Sequence, residues 1–540
     1  MDKFESAVKY LIKTKAKTLA DLDSAKRDIC KKFQITSPSN INLLKAYHSL
    51  LKKKRIKKSH NLECLLRKRR VRSLSGIVNV SVLTKPYNCP GKCIFCPSQK
   101  GIPKSYLAKE PAVQRAVLTD FDPKKQIKAR LEALKMTGHP TDKIELRIIG
   151  GTWSYYPKRY QTWFATQCFA ACNNSKKAKS LETEHKKNEK TKHKIIGLTI
   201  ETRPDYIDLK EIKRLRKLGV TRVELGVQSI YDDVLRLNKR GHTIKETIKA
   251  TELLKNAGFK VSYQIMPNLP GSTFKKDIKM FRELFSNSDF QPDLLKIYPL
   301  GLVKNTLLYR WYKQKKFKPY NKKKLIKLLT EIKKQIPCYA RIERVIRDIP
   351  SADIVEGGVK TSNLRELTQR NLTELGLKCK CIRCREVKED YDFKEKLHLF
   401  KEEYNASGGS EIFLSFESKN KAKLYALLRL RILKFNEAGP RQILPVLKDC
   451  AIVREIHVYG QTIPILKRQS QAQTQGRGPT SALAVQHKGL GKRLMKEAEN
   501  IARKNGFDKI AVIAGIGARG YYRKLGYKLK DTYMIKNLNS

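Results

Sequence analysis

A repeated pattern of strand, polar turn and amphipathic helix dominates the sequence between about residues 75 and 300. Each strand is a short β-branched or apolar run that ends in a turn, and a helix-like stretch follows it. Such repetition indicates a parallel sheet with its functional residues at the carboxyl ends of the strands. Six units predict a partial (β/α) barrel that is open enough to admit a large substrate. The predicted strands are residues 75–85, 144–149, 195–201, 222–228, 261–266 and 294–299.

A cysteine loop follows the first of these strands. Residues 85–97 read KPYNCPGKCIFCP, so that Cys89, Cys93 and Cys96 are separated by four and three positions. The prolines and the glycine among them keep the segment from forming a helix or a strand. Three thiolates suit an iron-sulfur cube with one iron open to a non-protein ligand, whereas zinc would need a fourth protein ligand. The alternative is a structural loop without metal, although packing does not require thiols there.

Glycines and polar residues mark the ends of the next strands. The Gly150–Gly151 pair closes the second strand, where a bare backbone would let the amino group of a ligand approach carbonyl oxygens. Glu201 and Arg203 follow the third strand and could hold the ribose hydroxyls and the carboxylate of an amino-acid nucleotide. Gln228 closes the fourth strand. These residues could also simply end strands or form a surface ion pair, but their position after the cysteine loop favours a bound nucleotide.

The chain is strongly basic. Of its 540 residues, 114 are Lys or Arg and 51 are Asp or Glu, which gives a formal net charge of +63 and predicts a polyanionic partner. Residues 1–75 are predicted to be helical and carry basic runs at 52–55 and 67–72. These runs could be solvated faces that reflect genomic composition, but because they precede the cysteine loop we favour a platform for RNA phosphates.

The cysteines also bear on the cellular compartment. Six of the 12 cysteines fall into two tight clusters and no signal peptide precedes them, which favours a reducing cytoplasm over a set of disulfides. No apolar run approaches the roughly 18 to 20 residues that span a bilayer. We therefore expect a soluble, cytoplasmic protein with no membrane partner. Residues 173–192 are almost free of apolar side chains and predict a mobile or disordered surface insertion.

The second cysteine cluster lies in a segment that leaves the barrel pattern at about residue 338. Cys379, Cys381 and Cys384 form a C-x-C-x2-C motif, which suits one metal ion at about 2.3 Å from each sulfur. The alternative is that three reduced thiols bind nothing. A structural zinc ion would need a fourth ligand, for which the candidates are Cys450 as first choice, then Cys338, His398 and His457.

The last block, from about residue 411, predicts a mixed sheet with strands near 411–416, 424–433, 452–460 and 509–514. A glycine-containing turn, QHKGLGK, opens an amphipathic helix at 493–505. The backbone N–H groups of such a turn and the positive end of the helix suit a pyrophosphate. The residues of this turn proposed as ligands are Gln486, Lys488, Gly489, Leu490, Gly491 and Lys492.

Two resemblances follow from these motifs. The cysteine spacing resembles the radical S-adenosylmethionine (SAM) enzymes, in which the open iron binds SAM. The glycine turn together with RGYYRKLGY at 519–527 resembles the GNAT-type acetyltransferase domain, in which the turn holds acetyl-CoA. That likeness implies that Tyr521 or Tyr522 donates a proton to the departing CoA thiolate. The alternative is that both tyrosines are packing aromatics.

The two halves in this order resemble the catalytic subunit of Elongator and its stand-alone prokaryotic relatives, the tRNA uridine 5-carboxymethyl transferases. The likeness runs from about Arg72 to Lys536 and implies a partial (β/α)6 radical-SAM barrel followed by a mixed α+β acetyltransferase domain. The implied parts are a basic helical tRNA-binding region at 1–75, the barrel at 76–337, a cysteine-rich connector at 338–410 and the acetyl-CoA domain at 411–540. The motifs that carry it are KPYNCPGKCIFCP, EPAVQRA, GGTW, IETRPD, ELGVQS, IMPNLPG, KIYP, REIHVYG and YYRKLGY.

The resemblance also implies the chemistry. Cys89, Cys93 and Cys96 would hold a 4Fe-4S cluster, and SAM-derived radical chemistry would join the acetyl methyl carbon of acetyl-CoA to carbon 5 of the wobble uridine in tRNA. Loss of an electron and a proton, together with hydrolysis of the thioester, would then leave a carboxymethyl group. Lys296 and Tyr298 on the last barrel strand are expected to contact the reacting centre. The uridine would unstack from the anticodon loop to reach them. The chain is expected to act alone or as a homodimer.

Other functions fit parts of the sequence. A protein lysine acetyltransferase with a structural cluster is disfavoured because a polycationic surface repels basic protein tails. A non-catalytic tRNA-binding scaffold would keep both domains without their activity. A radical reaction on a small molecule leaves the acetyltransferase half unexplained. The segment at residues 467–481 is longer than the family pattern has before the acetyl-CoA turn. This difference puts in doubt the adjoining strand and the strength of CoA binding.

Overall fold

The computed structural model of the chain describes residues 2–68, 73, 75–388, 395–433, 444–460 and 489–539. The first part is a helical unit whose apolar side chains form a core of their own, with Leu11, Leu43 and Tyr47 fully buried. The basic run 52–55 is exposed at the end of its third helix, whereas residues 69–72 of the second run lie outside the described ranges. The four helices of this unit are α1 (Lys3–Lys13), α2 (Leu19–Phe33), α3 (Asn40–Lys52) and α4 (His60–Leu66).

A parallel sheet of seven strands follows, in the spatial order β1 to β7, with helices between successive strands. The strands are apolar and mostly buried, as the sequence pattern predicts for a sheet covered by helices. The elements are β1 (Val78–Leu83), α5 (Pro111–Val117), α6 (Pro123–Met136), β2 (Lys143–Ile149), α7 (Lys158–Cys172), α8 (Leu181–Asn188), β3 (Lys194–Thr202), α9 (Leu209–Lys217), β4 (Arg222–Gln228), α10 (Asp232–Leu237), α11 (Ile244–Asn256), β5 (Lys260–Ile265), α12 (Phe274–Ser286), β6 (Leu294–Ile297), α13 (Leu307–Lys313), α14 (Lys322–Gln335) and β7 (Arg341–Arg344).

The sheet confirms the prediction of a partial barrel and adds one strand to it. The six predicted strands are β1 to β6, while β7 pairs in parallel with β6 beyond residue 338, where the barrel pattern was expected to end. The sequence of β7 is RIER, in which one apolar residue stands among charged ones. An apolar run therefore could not reveal this strand.

The expectation of a mobile insertion at residues 173–192 is wrong. The segment contains α8, and the buried carboxylate of Glu184 accepts hydrogen bonds from the Asn173 amide (2.8 Å) and the Ser175 hydroxyl (2.9 Å). Glu189 accepts from Arg519 (3.2 Å) in the second half of the chain. Polar side chains order this segment by satisfying one another, so its low apolar content was misleading.

The second half contains another seven-stranded sheet, in the spatial order β13-β14-β12-β11-β10-β9-β8. Its strands are antiparallel except for the β11–β12 pair, which is parallel. Because β8 begins at residue 398, this sheet includes residues predicted from the sequence to belong to the cysteine-rich connector at 338–410. The elements are α15 (Leu364–Glu374), α16 (Ile382–Arg385), β8 (His398–Ala406), β9 (Gly409–Glu417), β10 (Leu424–Ile432), β11 (Cys450–Val458), α17 (Leu490–Lys504), β12 (Lys509–Val512), α18 (Arg519–Arg523), β13 (Lys528–Lys530) and β14 (Tyr533–Asn537).

The two sheets share one continuous apolar core. Between them lies a set of buried charges, termed here the interface network, which consists of Lys255, Asp293, Glu411, Arg429, Arg431 and Arg454. The Arg454 guanidinium bonds both Asp293 (3.0 and 2.5 Å) and Glu411 (2.8 Å), and so ties β11 to the barrel and to β9. Within the described ranges, none of the helices combines the length and the apolar character needed to cross a membrane.

Candidate active site at the mouth of the barrel

The cysteine loop leaves the carboxyl end of β1 and is fixed by neighbouring backbone. The Ile94 N–H donates to the Asn238 carbonyl oxygen (3.2 Å) at the end of α10, and the Leu308 N–H donates to the Ile94 carbonyl oxygen (3.0 Å). The Ile94 side chain is buried in a small apolar cluster with Leu269 and Leu300. The loop is thus bonded to the residue that follows α10 and to α13, and its thiols line the barrel mouth.

The two cysteine clusters differ in the spacing of their sulfur atoms. Among the described residues, Cys379, Cys381 and Cys384 form the group whose three Sγ atoms lie within 4.8 Å of one another. The sulfurs of the cysteine loop are spread more widely than that. A single ion bonded to sulfur at about 2.3 Å needs the tight spacing, whereas a cube binds each thiolate on a different iron. The loop therefore fits a cluster better than a single ion.

Two arginines stand beside the loop. Arg240 Nη1 donates to Cys93 Sγ (3.4 Å), and its Nη2 also bonds the Gly226 carbonyl oxygen. Arg203 Nη2 bonds Asp205 (2.8 Å) and the Gly241 carbonyl oxygen (3.0 Å), while its Nη1 has no hydrogen-bond partner in the described part of the chain. A Cβ on Gly91 would lie 2.7 Å from that Nη1, so the unpaired nitrogen faces the cysteine loop.

Sequence reasoning included Arg203 and missed Arg240. The available signal was position: Arg240 lies in the turn between α10 and α11, in the connection that follows the carboxyl end of β4. Among 114 Lys and Arg residues, that signal is weak without the structure. Both arginines supply fixed positive charge next to thiols that must be deprotonated to hold iron.

The predicted glycine pair has a packing role as well as a place at the site. Gly150 and Gly151 both have positive φ, at 134° and 107°. A Cβ on Gly150 would lie 2.0 Å from Thr84 Oγ1, so only glycine lets this turn close against the end of β1. Gly151 lines the cavity in front of the cysteine loop. The structure therefore explains Gly150 by packing and leaves Gly151 available to a ligand.

A charged pair occupies the inside of the barrel. Lys296 Nζ forms an ion pair with Glu224 and lies 3.5 Å from Glu201 Oε1. Glu201 also accepts from the Tyr106 hydroxyl (3.0 Å), and Arg147 bonds Glu224 at 2.9 and 3.1 Å. These charges face one another across strands β2, β3, β4 and β6, as expected of inward-pointing barrel residues.

The environments of the two carboxylates shift their pKa values in opposite directions. Burial raises the pKa of Glu201, which Lys296 only partly offsets. Burial also acts on Glu224, but Arg147, Lys296 and Arg222 outweigh it and hold the pKa of Glu224 below its usual value. The pKa of Lys296 is raised despite its burial, chiefly by Glu224. Lys296 is thus a protonated cation between one firmly ionised carboxylate and one that protonates more readily.

Gln228 takes up a strained conformation at the end of β4. Its φ is +69°, and the pairing of β4 with β5 is irregular between Leu225 and Gln228. The Gln228 Oε1 is buried and has no hydrogen-bond partner among the described residues. Backbone strain and an unpaired polar atom in one residue that lines the cavity are typical of a ligand-binding position.

One cavity of about 900 Å³ connects these features. It begins at Cys89, Cys93 and Cys96, passes Glu201 and Lys296, and reaches His457 of β11 and Tyr459 just after that strand. A cavity of this size falls within the range that accommodates a cofactor-sized ligand together with part of a second one. The cavity therefore extends from the barrel mouth to the second sheet.

Strand β11 separates this cavity from the glycine turn at the start of α17. The register of β11 against β10 shifts between Arg429 and Leu430, so that Arg454 is an extra residue and the side-chain alternation is inverted beyond it. As a result Glu455 and His457 line the cavity. A Cβ on Gly491 at the start of α17 would lie 3.8 Å from Ile456 and 3.7 Å from Val458. The two predicted sites are thus one strand apart.

The described part of the predicted glycine turn is Gly489 to Lys492, while Gln486 and Lys488 lie outside the described residues. Gly489 has φ +77° at the N-cap of the 15-residue helix α17, whose first residue is Leu490. A Cβ on Gly491 would lie 2.9 Å from the Tyr521 hydroxyl. Lys492 is exposed in the first turn of the helix. At this helix start Leu490 is buried, Gly489 and Gly491 are half-buried, and the Tyr521 hydroxyl lies beside them.

The two candidate tyrosines are placed differently. Tyr521 points its hydroxyl at the glycine turn, and partial burial raises its pKa to about 12. Tyr522 is buried in the main core, where it packs against Tyr527 at a ring distance of 6.1 Å. A protonated hydroxyl beside the helix start can donate a proton, whereas the ring of Tyr522 packs in the core. The geometry favours Tyr521 over Tyr522.

The second cysteine group holds three thiols, and the predicted fourth ligand is elsewhere. The Cys450 thiol donates to the Lys448 carbonyl oxygen (3.5 Å) and does not belong to the group, so its assignment as a zinc ligand is wrong. Cys338 contacts Glu402 and His457 bonds the Ser75 carbonyl oxygen (3.0 Å). Hydrogen bonds from Cys379 and Cys384 lower the pKa of the Cys381 thiol. The described residues offer three thiols at this position, whereas structural zinc needs four ligands, so a zinc site here stays a prediction.

Comparison with known protein families gives three matches. Residues 84–284 match the Radical SAM superfamily, residues 292–374 match the Radical_SAM C-terminal domain, and residues 483–527 match the Acetyltransferase (GNAT) family. The first match includes the cysteine loop and strands β2 to β5. The second includes β6 and β7, and the third includes α17 and Tyr521. The matches thus agree with the superfamilies that the motifs of the two halves indicate.

Individual relatives match nearly the whole chain. A "tRNA uridine(34) acetyltransferase" of Methanocaldococcus infernus is 46% identical over 93% of this chain and 92% of its own length. "Elongator complex protein 3" of Drosophila melanogaster is 37% identical over 97% of this chain and 93% of its own length. Among solved structures, an N-terminally deleted Elp3 of Methanocaldococcus infernus has a TM-score of 0.72 and 43% identity, covering 86% of this chain and 100% of its own.

Proposed function

The chain belongs to the family of the tRNA uridine(34) acetyltransferases and Elongator complex protein 3, and we propose that it adds a carboxymethyl group to carbon 5 of the wobble uridine of tRNA. SAM would be the source of the radical, and acetyl-CoA would supply the two carbons. The observation that carries this proposal is the single cavity that joins the cysteine loop to β11, directly behind the glycine turn and Tyr521.

The barrel residues would bind the cluster and SAM. When bound, a 4Fe-4S cluster with SAM supplies the radical that activates the acetyl methyl group. Cys89, Cys93 and Cys96 offer three thiolates, which leaves one iron open. The unpaired atoms Arg203 Nη1 and Gln228 Oε1 are a donor and an acceptor for the polar groups of SAM. Glu201 and the bare backbone of Gly151 would complete that binding site.

Lys296 would hold the reacting uridine. It is a buried cation on the cavity wall, and its partner Glu224 is already neutralised by Arg147 and Arg222. Lys296 can therefore offer positive charge to a base carbonyl oxygen without leaving a carboxylate uncompensated. Its neighbour Glu201, with a raised pKa, is a group that can exchange a proton with the base.

The second sheet would bind acetyl-CoA. The N-terminus of α17, with Gly489 and Gly491, offers backbone N–H groups to the pyrophosphate. Tyr521 would give its proton to the CoA thiolate as water hydrolyses the thioester, because its raised pKa keeps the hydroxyl protonated at neutral pH. The exposed basic run 52–55 of the helical unit would contact RNA phosphates.

The test is anaerobic reconstitution with iron and sulfide, followed by incubation with SAM, a reductant, methyl-labelled acetyl-CoA and tRNA. We expect label in the wobble uridine after digestion. Cys93→Ala should abolish it, while the matched control Cys30→Ala, at a half-buried cysteine of α2, should not. Formation of 5′-deoxyadenosine without label in the tRNA would refute the proposal. Acetylation of a protein tail without SAM would instead favour a lysine acetyltransferase.

A further inference from the structure

A row of aromatic rings leads away from the cysteine loop along the barrel surface. This aromatic row consists of Tyr87, Tyr155, Tyr156, Tyr160 and Trp163. Tyr87 stacks on Tyr156 with ring centroids 5.0 Å apart, and Tyr156 stacks on Tyr160 at 5.3 Å. Trp163 continues the row 5.6 Å beyond Tyr160. Rings from the cysteine loop, the turn after β2 and helix α7 thus form one surface.

The row has an anchored inner part and an exposed outer part. The Tyr156 hydroxyl bonds the Lys85 (2.8 Å) and Gly150 (3.1 Å) carbonyl oxygens, and the Tyr160 hydroxyl accepts from the Lys85 N–H (3.0 Å). In contrast, Tyr87, Tyr155 and Trp163 are 39%, 38% and 44% exposed. Large aromatics exposed side by side are typical of a binding surface rather than of a core. The inner rings hold the outer rings in place.

Positive charge accompanies these rings. Lys85 Nζ lies 5.1 Å above the Tyr160 ring, and Lys158 and Arg159 are exposed at the start of α7, between Tyr156 and Tyr160. Lys158 is shared with Glu211 at 2.9 Å. Aromatic faces interleaved with cations are the features that bind single-stranded nucleic acid, because bases stack on the rings while phosphates meet the cations. A basic peptide would be repelled by the same cations.

The row begins where the reactive cavity opens. Tyr87 precedes Cys89 by two positions, and Thr152, next to the aromatic turn, lies 3.8 Å from Cys89 Sγ through its Oγ1. A nucleotide that enters the cavity therefore has its neighbours in the RNA strand beside the row. The adjoining nucleotides of an unpaired loop would have to lose their own stacking when one base turns into the barrel.

From this juxtaposition we propose that the aromatic row stacks the unpaired anticodon-loop bases next to the uridine that enters the barrel. The exposed faces of Tyr87, Tyr155 and Trp163 replace the stacking that the loop loses, and Lys85 and Arg159 hold the phosphates between them. The inference rests on the proposed function, since it assumes that RNA is the substrate. It assigns a binding role to residues that contribute nothing to the cluster or to acetyl-CoA.

The experiment uses the full chain and an anticodon stem-loop RNA with 2-aminopurine on the 3′ side of the wobble uridine. The wild-type chain should quench the probe on binding, because 2-aminopurine loses fluorescence when it stacks. Tyr87→Ala and Trp163→Ala should each abolish part of the quenching and weaken binding by about tenfold, the lower part of the range for one stacked base. Tyr87→Phe and Trp163→Phe should restore both, since they keep a ring.

The matched control is Phe400→Ala on β8 of the second sheet, where Lys421 lies 4.5 Å above the ring. This variant removes an aromatic ring that has a lysine beside it, as Tyr160 of the row has Lys85, and it should leave quenching unchanged. If the wild-type chain does not bind the stem-loop, the proposed function fails. If it binds and the alanine variants of the row quench as the wild type does, this inference alone fails. If the wild-type chain instead binds a lysine-rich peptide, and the alanine variants of the row lose that binding while still binding RNA, the inference is overturned in favour of a protein partner.

Discussion

In the barrel, Lys296 and Glu224 form their ion pair on the wall of a cavity of about 900 Å³. In the interface network, Arg454 and Asp293 form theirs where two sheets pack against each other, and both side chains are fully buried. Both pairs are surrounded by further charges. The barrel pair faces space that a ligand can enter, whereas the interface pair has neighbouring protein on every side.

This difference indicates what each set of charges is for. A buried ion pair is weak evidence of stabilisation in itself, but breaking one is costly because an uncompensated charge remains. The interface network has no access to a ligand, so its bonds serve to fix the second sheet on the barrel. The barrel charges keep Lys296 protonated beside a cavity. We therefore expect substitutions in the interface network to change stability and substitutions of the barrel charges to change activity.

The largest expected effect is that of Asp293→Asn. Asp293 bonds Arg454 through both carboxylate oxygens and accepts the Val261 N–H (2.8 Å), so the substitution leaves four buried cations with Glu411 as their buried carboxylate. We expect a loss of about 3 to 5 kcal/mol in the free energy of unfolding, measured by urea denaturation. The control is Asp289→Asn at an exposed position on the same connection. Equal stability of the two variants would contradict the role given to the network.

Next is Lys296→Gln, which should lower labelled-carbon transfer to tRNA about 100-fold, equivalent to about 2.7 kcal/mol of transition-state stabilisation. The free energy of unfolding should change little, because Arg147 and Arg222 still compensate Glu224. The control is Lys333→Gln on α14, where a buried lysine donates to Gln369 (2.9 Å) away from the cavity. If Lys296→Gln destabilises the chain as much as Asp293→Asn does, the distinction between the two regions is lost.

The barrel was predictable from the sequence because its strands are apolar runs that end in polar turns. Glu201 and Gln228 were predicted from the ends of those strands, whereas Lys296 was predicted from the family resemblance. The seventh strand was not, because RIER at 341–344 has no apolar run. The same holds for α8, whose order comes from hydrogen bonds to Glu184 rather than from burial of apolar side chains.

Charged residues were the hardest to interpret. Arg240 beside Cys93 and Arg454 in the interface network are two among 114 basic residues, and their roles depend on which strands and turns face them. The Cys450 assignment failed for a related reason: residues distant in sequence must be brought together by the fold, and spacing along the chain cannot show this. Local motifs were therefore predictable, whereas partners from distant segments were not.

Acid should weaken the contact between the second sheet and the barrel, and the protonation of Glu455 is one cause that can be measured. Glu455 lines the cavity and bonds Arg429 (2.9 Å) and Lys260 (3.4 Å). Despite burial, these cations lower its pKa from 4.5 to about 2. Because the folded-state pKa is lowered, the stabilisation is complete above about pH 4.5 and is lost as the pH falls toward 2. Between pH 6 and pH 3 the wild type should lose about 2 kcal/mol more than Glu455→Gln does, by urea denaturation. Identical pH profiles would contradict this.

The smallest expected effect, Lys255→Met, tests whether every charge of the interface network is needed. Lys255 lies 3.6 Å from Asp293, yet its Nζ has no hydrogen-bond partner among the described residues, and burial lowers its pKa to about 8. The network holds four buried cations against two buried carboxylates, so removing this cation reduces an excess of positive charge. Methionine fills a similar volume, and we expect the free energy of unfolding to change by less than about 1 kcal/mol.

The contrasting variant is Arg431→Met, which should be far more destabilising. Arg431 bonds Glu411 (2.9 Å) and the Ala406 (3.0 Å) and Ser407 (2.8 Å) carbonyl oxygens, so methionine would remove all three bonds from a buried interface and leave Glu411 with Arg454 as its bonding arginine. Urea denaturation of the two variants side by side tests whether the folded state needs the Arg431 side chain while it does not need the charge of Lys255. A loss for Lys255→Met that approaches that of Arg431→Met would mean that the network depends on its total charge rather than on its hydrogen bonds.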